Sequence, residues 1–175
     1  MLTDWNGIAA ALVPAAGKNP VEQSRVFAIV HAATHDVLNA VEPRYRPCAF
    51  KAQVTEASPV AAVATAAYAV LTAQVSSQQA ALDVAYAASL SSIPSGSAKD
   101  NGIAAGLAAA ATIIDLRSAD GSVDPMPYTP GDNAGDWVPT PPGFVPAALP
   151  GWGNVTRSRF ARASNSGPIP LMFST

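Results

Sequence analysis

The sequence is short of the residues from which most sites are built. A single cysteine, Cys48, excludes an intrachain disulfide and leaves the redox compartment open. Charged residues make up 13% of the chain and sum to −2. That balance provides no basic field for nucleic acid or anionic lipid, and this class of partner is set aside. The longest weakly polar run, Pro59 to Gln74, is alanine-rich and interrupted by Thr65 and Thr72. It reads as a core helix rather than a bilayer span. The apolar N-terminal stretch is preceded by Asp4 and by no basic segment, so it is not read as a signal peptide, and the compartment stays open. Aromatic residues are also few, at 7%.

What is present is alanine, proline and clear helix punctuation. The 175 residues are enough for one domain with a sizeable core, and 49% of them are apolar. Alanine favours helix and close helix approach but buries little area per residue, so such a domain is expected to lean on a neighbour. A first helix is expected from a cap at Thr3 or Asp4 to just before Pro14. The second has the fullest start signal: Asn19 as cap, Pro20 in the first turn and Glu22 completing a capping box. It should stop near Val41, ahead of Pro43, with Val26, Ile29, Val30, Val37 and Val41 on one arc and Phe27 and Leu38 at its edge. Ser58-Pro59 opens a third helix to about Val75. Ser76 or Ser77 caps a fourth, carrying Leu82, Tyr86 and Leu90 and ending at Pro94. Ser97, with Asp100 three residues on, opens a fifth that runs through Ile103, Leu107, Ile113 and Ile114 to about Ala119, with Gly121 as its C-terminal cap. The fold class is therefore all-α: about five helices in an antiparallel bundle-like domain over residues 1–120.

Residues 121–175 follow a different rule. Ten of the sixteen prolines lie there, which disfavours regular helix or central strand. Tyr128, Trp137, Phe144, Val145, Leu149 and Trp152 are spaced along the segment. It reads as an extended proline-rich arm that packs on the bundle or on a partner.

An ordered series of short matches gives a family resemblance. It begins with Leu2-Thr3-Asp4-Trp5-Asn6 and continues through Ser24-Arg25-Val26-Phe27-Ala28-Ile29-Val30-His31-Ala32-Ala33 into Asp36-Val37-Leu38-Asn39-Ala40-Val41. Ser58-Pro59, Leu82-Asp83, Ile93-Pro94, Ala98-Lys99-Asp100 with Gly102, and Arg117 with Ala119-Asp120-Gly121-Ser122 follow. Pro127-Tyr128-Thr129-Pro130-Gly131, Trp137, Pro139-Thr140-Pro141-Pro142 and Pro150-Gly151-Trp152-Gly153 complete it. Over residues 2–156 the chain resembles the N-terminal half of bacterial vanadium-dependent haloperoxidases of the type-2 phosphatidic acid phosphatase superfamily. The resemblance implies an all-helical enzyme of two halves, with vanadate or phosphate chemistry in the C-terminal half. There, Lys and Arg side chains, a Ser hydroxyl and a backbone amide neutralise a tetrahedral oxyanion. One histidine binds vanadium or attacks phosphorus, and a second serves as acid or base. The family motifs run Lys-x6-Arg-Pro, then Pro-Ser-Gly-His, then Ser-Arg-x5-His-x3-Asp.

Three fragments imitate those motifs. Lys18 and Arg25 have the first spacing, but Val26 replaces proline. Pro94-Ser95-Gly96 is followed by Ser97, so the histidine is missing. Ser24-Arg25 with His31 fits the third motif, but Asp36 falls one residue late, which on a helix turns it by about 100°. The residues are therefore read structurally, with Arg25 and Asp36 as members of a polar contact between helices. His31 and His35, spaced i, i+4 with Asn39 and Glu42 along the same edge, have the geometry of a metal pair but lack a clear third ligand. They are read as a solvated or interface edge. Asp115, Asp120 and Asp124 lack the alternation of a calcium loop and read as solvated turn residues. Trp137 and Trp152 read as packing anchors, and Gly102 and Gly106 as points of close helix approach.

No catalytic, cofactor-binding or metal-ligating residue is assigned, and vanadate belongs to the complete parent. The expected function is that of a non-catalytic scaffold whose partner is the C-terminal catalytic half or a second copy of the chain. The alternatives are a free-standing helical module that self-associates, as in a homodimer, and a metal-binding helical protein that uses His31 and His35.

Overall fold

The chain is described by a computed structural model over residues 1–157. Among those residues there are five α-helices and no strand: α1 (Leu2–Ala15), α2 (Pro20–Val41), α3 (Pro59–Gln74), α4 (Gln79–Ser91) and α5 (Ser97–Ser118). The part of the proline-rich segment beyond residue 157 lies outside the described residues. No single helix is long and apolar enough to cross a membrane, although α3 and the helical segment after it pass that test together, bent by 118°. In the fold α3 is a core helix, with Ala61 to Ala67, Val70 and Leu71 all buried.

The start of α2 follows its sequence signal closely. The Asn19 side chain accepts from the amides of Val21 and Glu22, and the Glu22 carboxylate accepts from the Asn19 amide at 3.0 Å. Ser58 caps α3 through Ala61, with Pro59 in its first turn. Three other boundaries differ from expectation. The helix α1 begins at Leu2 and runs past Pro14, which lies inside its last turn and removes one amide from the hydrogen-bond ladder without ending the helix. The helix α4 is preceded by a 3-10 turn, Ser76–Gln78, so neither Ser76 nor Ser77 caps it. Ser97 is the first residue of α5 rather than its cap. Gly96, at φ 142, holds that position, and its carbonyl accepts from Lys99 and Asp100.

The core is centred on α3, which packs against α1, α2, α4 and α5. Alanine sets the spacing. Between α3 and α5 the backbones come so close that a Cβ on Gly102 would lie 2.6 Å from the Ser58 carbonyl oxygen. One on Gly106 would lie 2.6 Å from that of Ala62. Both glycines are thus points of close approach. The larger core side chains are Trp5 and Val13 of α1, Val26, Ile29 and Val37 of α2, and Leu82 of α4. The N-terminal apolar stretch is therefore an ordinary amphipathic helix whose Trp5, Ala9 and Val13 face the core. At the far end of α4, the ammonium of Lys99 donates to the carbonyls of Leu90 and Ile93, closing the turn into α5.

Candidate functional site

Two polar clusters lie among the helices, and both include residues that the sequence marks. The first is built on α2 and the loop that follows it. The loop has no secondary structure through Pro43, Pro47 and Phe50, so its amides need acceptors. Asp36 supplies them: one carboxylate oxygen accepts from Cys48 N at 2.7 Å, the other from Ala49 N and Phe50 N at 2.7 and 2.8 Å. Asn39 supplies more, its carbonyl oxygen accepting from Arg44 N and Tyr45 N. Asp36 is fully buried and Asn39 nearly so, which corrects the placement of Asn39 along a solvated or interface edge of the helix. Burial pushes the Asp36 carboxyl up, but the amides of Ala49, Cys48 and Phe50 and the hydrogen bond from His35 outweigh it. The group is held below the usual value of 3.8.

His35 is oriented by the same cluster. Because the Asn39 carbonyl faces the loop amides, its NH2 is fixed as a donor, 3.2 Å from His35 Nε2 and 2.8 Å from the His35 carbonyl. Nε2 therefore accepts and Nδ1–H donates to Asp36 at 3.1 Å, a tautomer assigned from the network. This decides the chemistry. His35, Asp36 and Cys48 offer ligand atoms within 4.8 Å of one another, the reach of a metal site. A metal there would have to displace the Nδ1 proton and compete for a carboxylate whose two oxygens already accept two bonds each. Nor is Cys48 a nucleophile paired with a base. Its sulfur is 3.9 Å from the nitrogen that also faces Asp36, whereas a catalytic histidine uses opposite nitrogens for nucleophile and carboxylate. Burial and the negative charge of Asp36 push the Cys48 thiol up, away from the reactive thiolate.

The second cluster ties α2, α3 and the end of α5. Arg25 donates through Nε to Asp120 at 2.7 Å and through its two terminal nitrogens to Gln74 and to the Arg117 carbonyl, both at 3.0 Å. Arg117 adds a second 2.7 Å bond to the same Asp120 oxygen. The partner of Arg25 is thus Asp120 and not Asp36. Asp120 is buried and paired, which corrects its reading as a solvated turn residue; Asp115 and Asp124 are exposed. Burial raises the Asp120 carboxyl, but the hydrogen bond from Arg25, the hydroxyl and amide of Ser122 and the charge of Arg25 together lower it to about 2.

The catalytic look-alikes do not assemble. Lys18 pairs with Glu22 at 3.8 Å, Arg25 is fully engaged with Asp120, Gln74 and Arg117, and His31 is exposed on the opposite side of its turn from the core residues. These residues do not assemble an oxyanion cage, because the one guanidinium among them is turned to Asp120, Gln74 and the Arg117 carbonyl and neither Lys18 nor His31 shares a hydrogen bond with it. His31 and His35 do not act together either, since His35 is committed to Asp36 and Asn39. Trp137 is 43% exposed and meets Tyr128 edge-on, whereas Trp152 is half-buried.

Fold and site together define an all-helical protein whose buried charges are engaged in holding helices and a loop in place. In comparison with known proteins, no family model, no curated protein and no solved structure matches the chain.

Proposed function

We propose that the chain is the scaffold, non-catalytic N-terminal part of an enzyme resembling the vanadium-dependent haloperoxidases and acid phosphatases. In this reading the helices form an antiparallel bundle-like domain, the proline-rich segment is an arm, and the catalytic half supplies the oxyanion cage. The observation that supports the reading is the engagement of Arg25: each of its three nitrogens bonds within the chain, and its charge is paired with the buried Asp120 rather than offered to a substrate. The exposure of Tyr128, Trp137, Phe144 and Val145 supports a surface made for a partner.

The test is halide-dependent bromination by the purified chain in vanadate and peroxide. No turnover above the protein-free control is expected. Turnover that disappears in His31→Ala would overturn the proposal.

A second reading, a self-associating helical module, is favoured by Leu107 and Leu116 of α5 and Val84 of α4, each more than half exposed. Light scattering at micromolar concentration separates the two. A well-folded symmetric dimer supports the module, and a monomer that aggregates on concentration supports the scaffold.

A further inference from the structure

A cavity of about 290 Å³ opens between α2, α5 and the loop at Cys48. It exists because α2 turns two alanines, Ala28 and Ala32, one helical turn apart, toward Ile113 and Leu116 of α5, and small side chains leave the space unfilled. The walls are mostly apolar, with Thr156 at one side. The only charged residues lining it among the described residues are Arg117 and Arg157. Arg117 is 7% exposed, and its Nε has no hydrogen-bond partner among the described residues. A buried donor without an acceptor costs about 1–3 kcal/mol, and one terminal nitrogen of the same guanidinium is already held by Asp120 at 2.7 Å.

We propose that this cavity binds a small amphipathic carboxylate, with its hydrocarbon tail along Ala28, Ala32 and Leu116 and its carboxylate on Arg117. The chemistry follows from the lining. An apolar pocket with one or two placed polar groups selects a ligand apolar over most of its length and charged at one end. Two cationic residues and no lining carboxylate select an anion, and a guanidinium is the planar donor that carboxylates match. Size sets the class. An apolar cavity of about 150 Å³ holds benzene, so the volume here suits a ligand of about ten non-hydrogen atoms, such as octanoate. The site meets the Arg25 cluster at Arg117, whose carbonyl accepts from Arg25, but it uses the Arg117 side chain and does not rest on the scaffold reading.

Cys48, the single cysteine, lines the cavity and serves as a built-in reporter. The experiment measures iodoacetamide alkylation of Cys48 in the full chain against increasing octanoate, with 1-octanol as the uncharged counterpart. Octanoate is expected to slow alkylation about threefold or more at saturation. The alcohol should bind at least about tenfold more weakly, the loss that accompanies one charge-assisted hydrogen bond. Arg117→Lys should weaken octanoate about fivefold or more, because the fork geometry is lost. Since Arg117 also holds Asp120, Ala32→Leu provides an independent arm: it fills the cavity from a half-buried position and should abolish protection while the circular dichroism of the chain is unchanged. Alkylation that octanoate does not slow, equal protection by octanol, or full protection in folded Ala32→Leu would each overturn the proposal.

Discussion

Asp36 and Asp120 are the two carboxylates that folding removes from water, and both are charged when buried because donors surround them. Asp36 receives three backbone amides from one loop, and replacing it with asparagine would point an NH2 group at amides that need an acceptor. Asp36→Asn is expected to lower the unfolding free energy by about 3 kcal/mol, read as a lower urea midpoint at unchanged slope. Both carboxyls lie below their ordinary value of 3.8 in the folded chain. Each therefore adds stability that is complete above about pH 4–5 and is lost as the pH falls toward the folded value. For Asp120, held at about 2, the contribution is about 2 kcal/mol. Urea midpoints should fall between pH 5 and 2.5, and Asp120→Asn should flatten that decline; a decline of the same steepness in the variant would show that Asp120 is not its source. None of this burial is legible from polarity. A helical wheel puts Asp36 and Asn39 outside because they are polar, and only the amide-rich, proline-punctuated loop after Val41 hints that acceptors are needed nearby.

At the scale of elements, the sequence was most informative where one residue both stops and starts a helix. Asn19-Pro20 with Glu22, Ser58-Pro59 and the stop before Pro43 locate α2 and α3 because caps and proline act on the backbone locally. The start of α5 was misread because a serine after glycine looks like a cap, whereas Gly96 reaches a positive φ open to few other residues. Pro14 does not stop α1, because proline removes a single bond to the preceding turn and its fixed φ is itself helical. Helix contact is testable with one substitution made at two places. Gly106→Ala gains helix propensity of about 1 kcal/mol, but its Cβ would sit 2.7 Å from that of Thr65 and 2.6 Å from the Ala62 oxygen. A net loss of about 2 kcal/mol is expected as α3 and α5 separate. Gly7→Ala on α1 meets nothing within 4 Å and should stabilise by up to about 1 kcal/mol. Thermal unfolding of both variants decides the matter, and a stabilising Gly106→Ala would mean that α3 and α5 are not in such close contact.

For the whole molecule, the buried charged residues tie helices and a loop into one unit. The role of Arg25 is not legible in the sequence, since its partners Gln74 and Asp120 lie 49 and 95 positions away. Those partners join α2, α3 and the end of α5, so the Arg25–Asp120 pair reports on the assembly as one unit. A double-mutant cycle with Arg25→Met and Asp120→Asn, followed by urea unfolding at pH 7, measures their coupling directly. A coupling of about 2 kcal/mol or more is expected for a 2.7 Å pair with both side chains largely withdrawn from water. A coupling below about 0.5 kcal/mol would contradict the structural role of Arg25 and return its guanidinium to the inventory of groups available for a ligand.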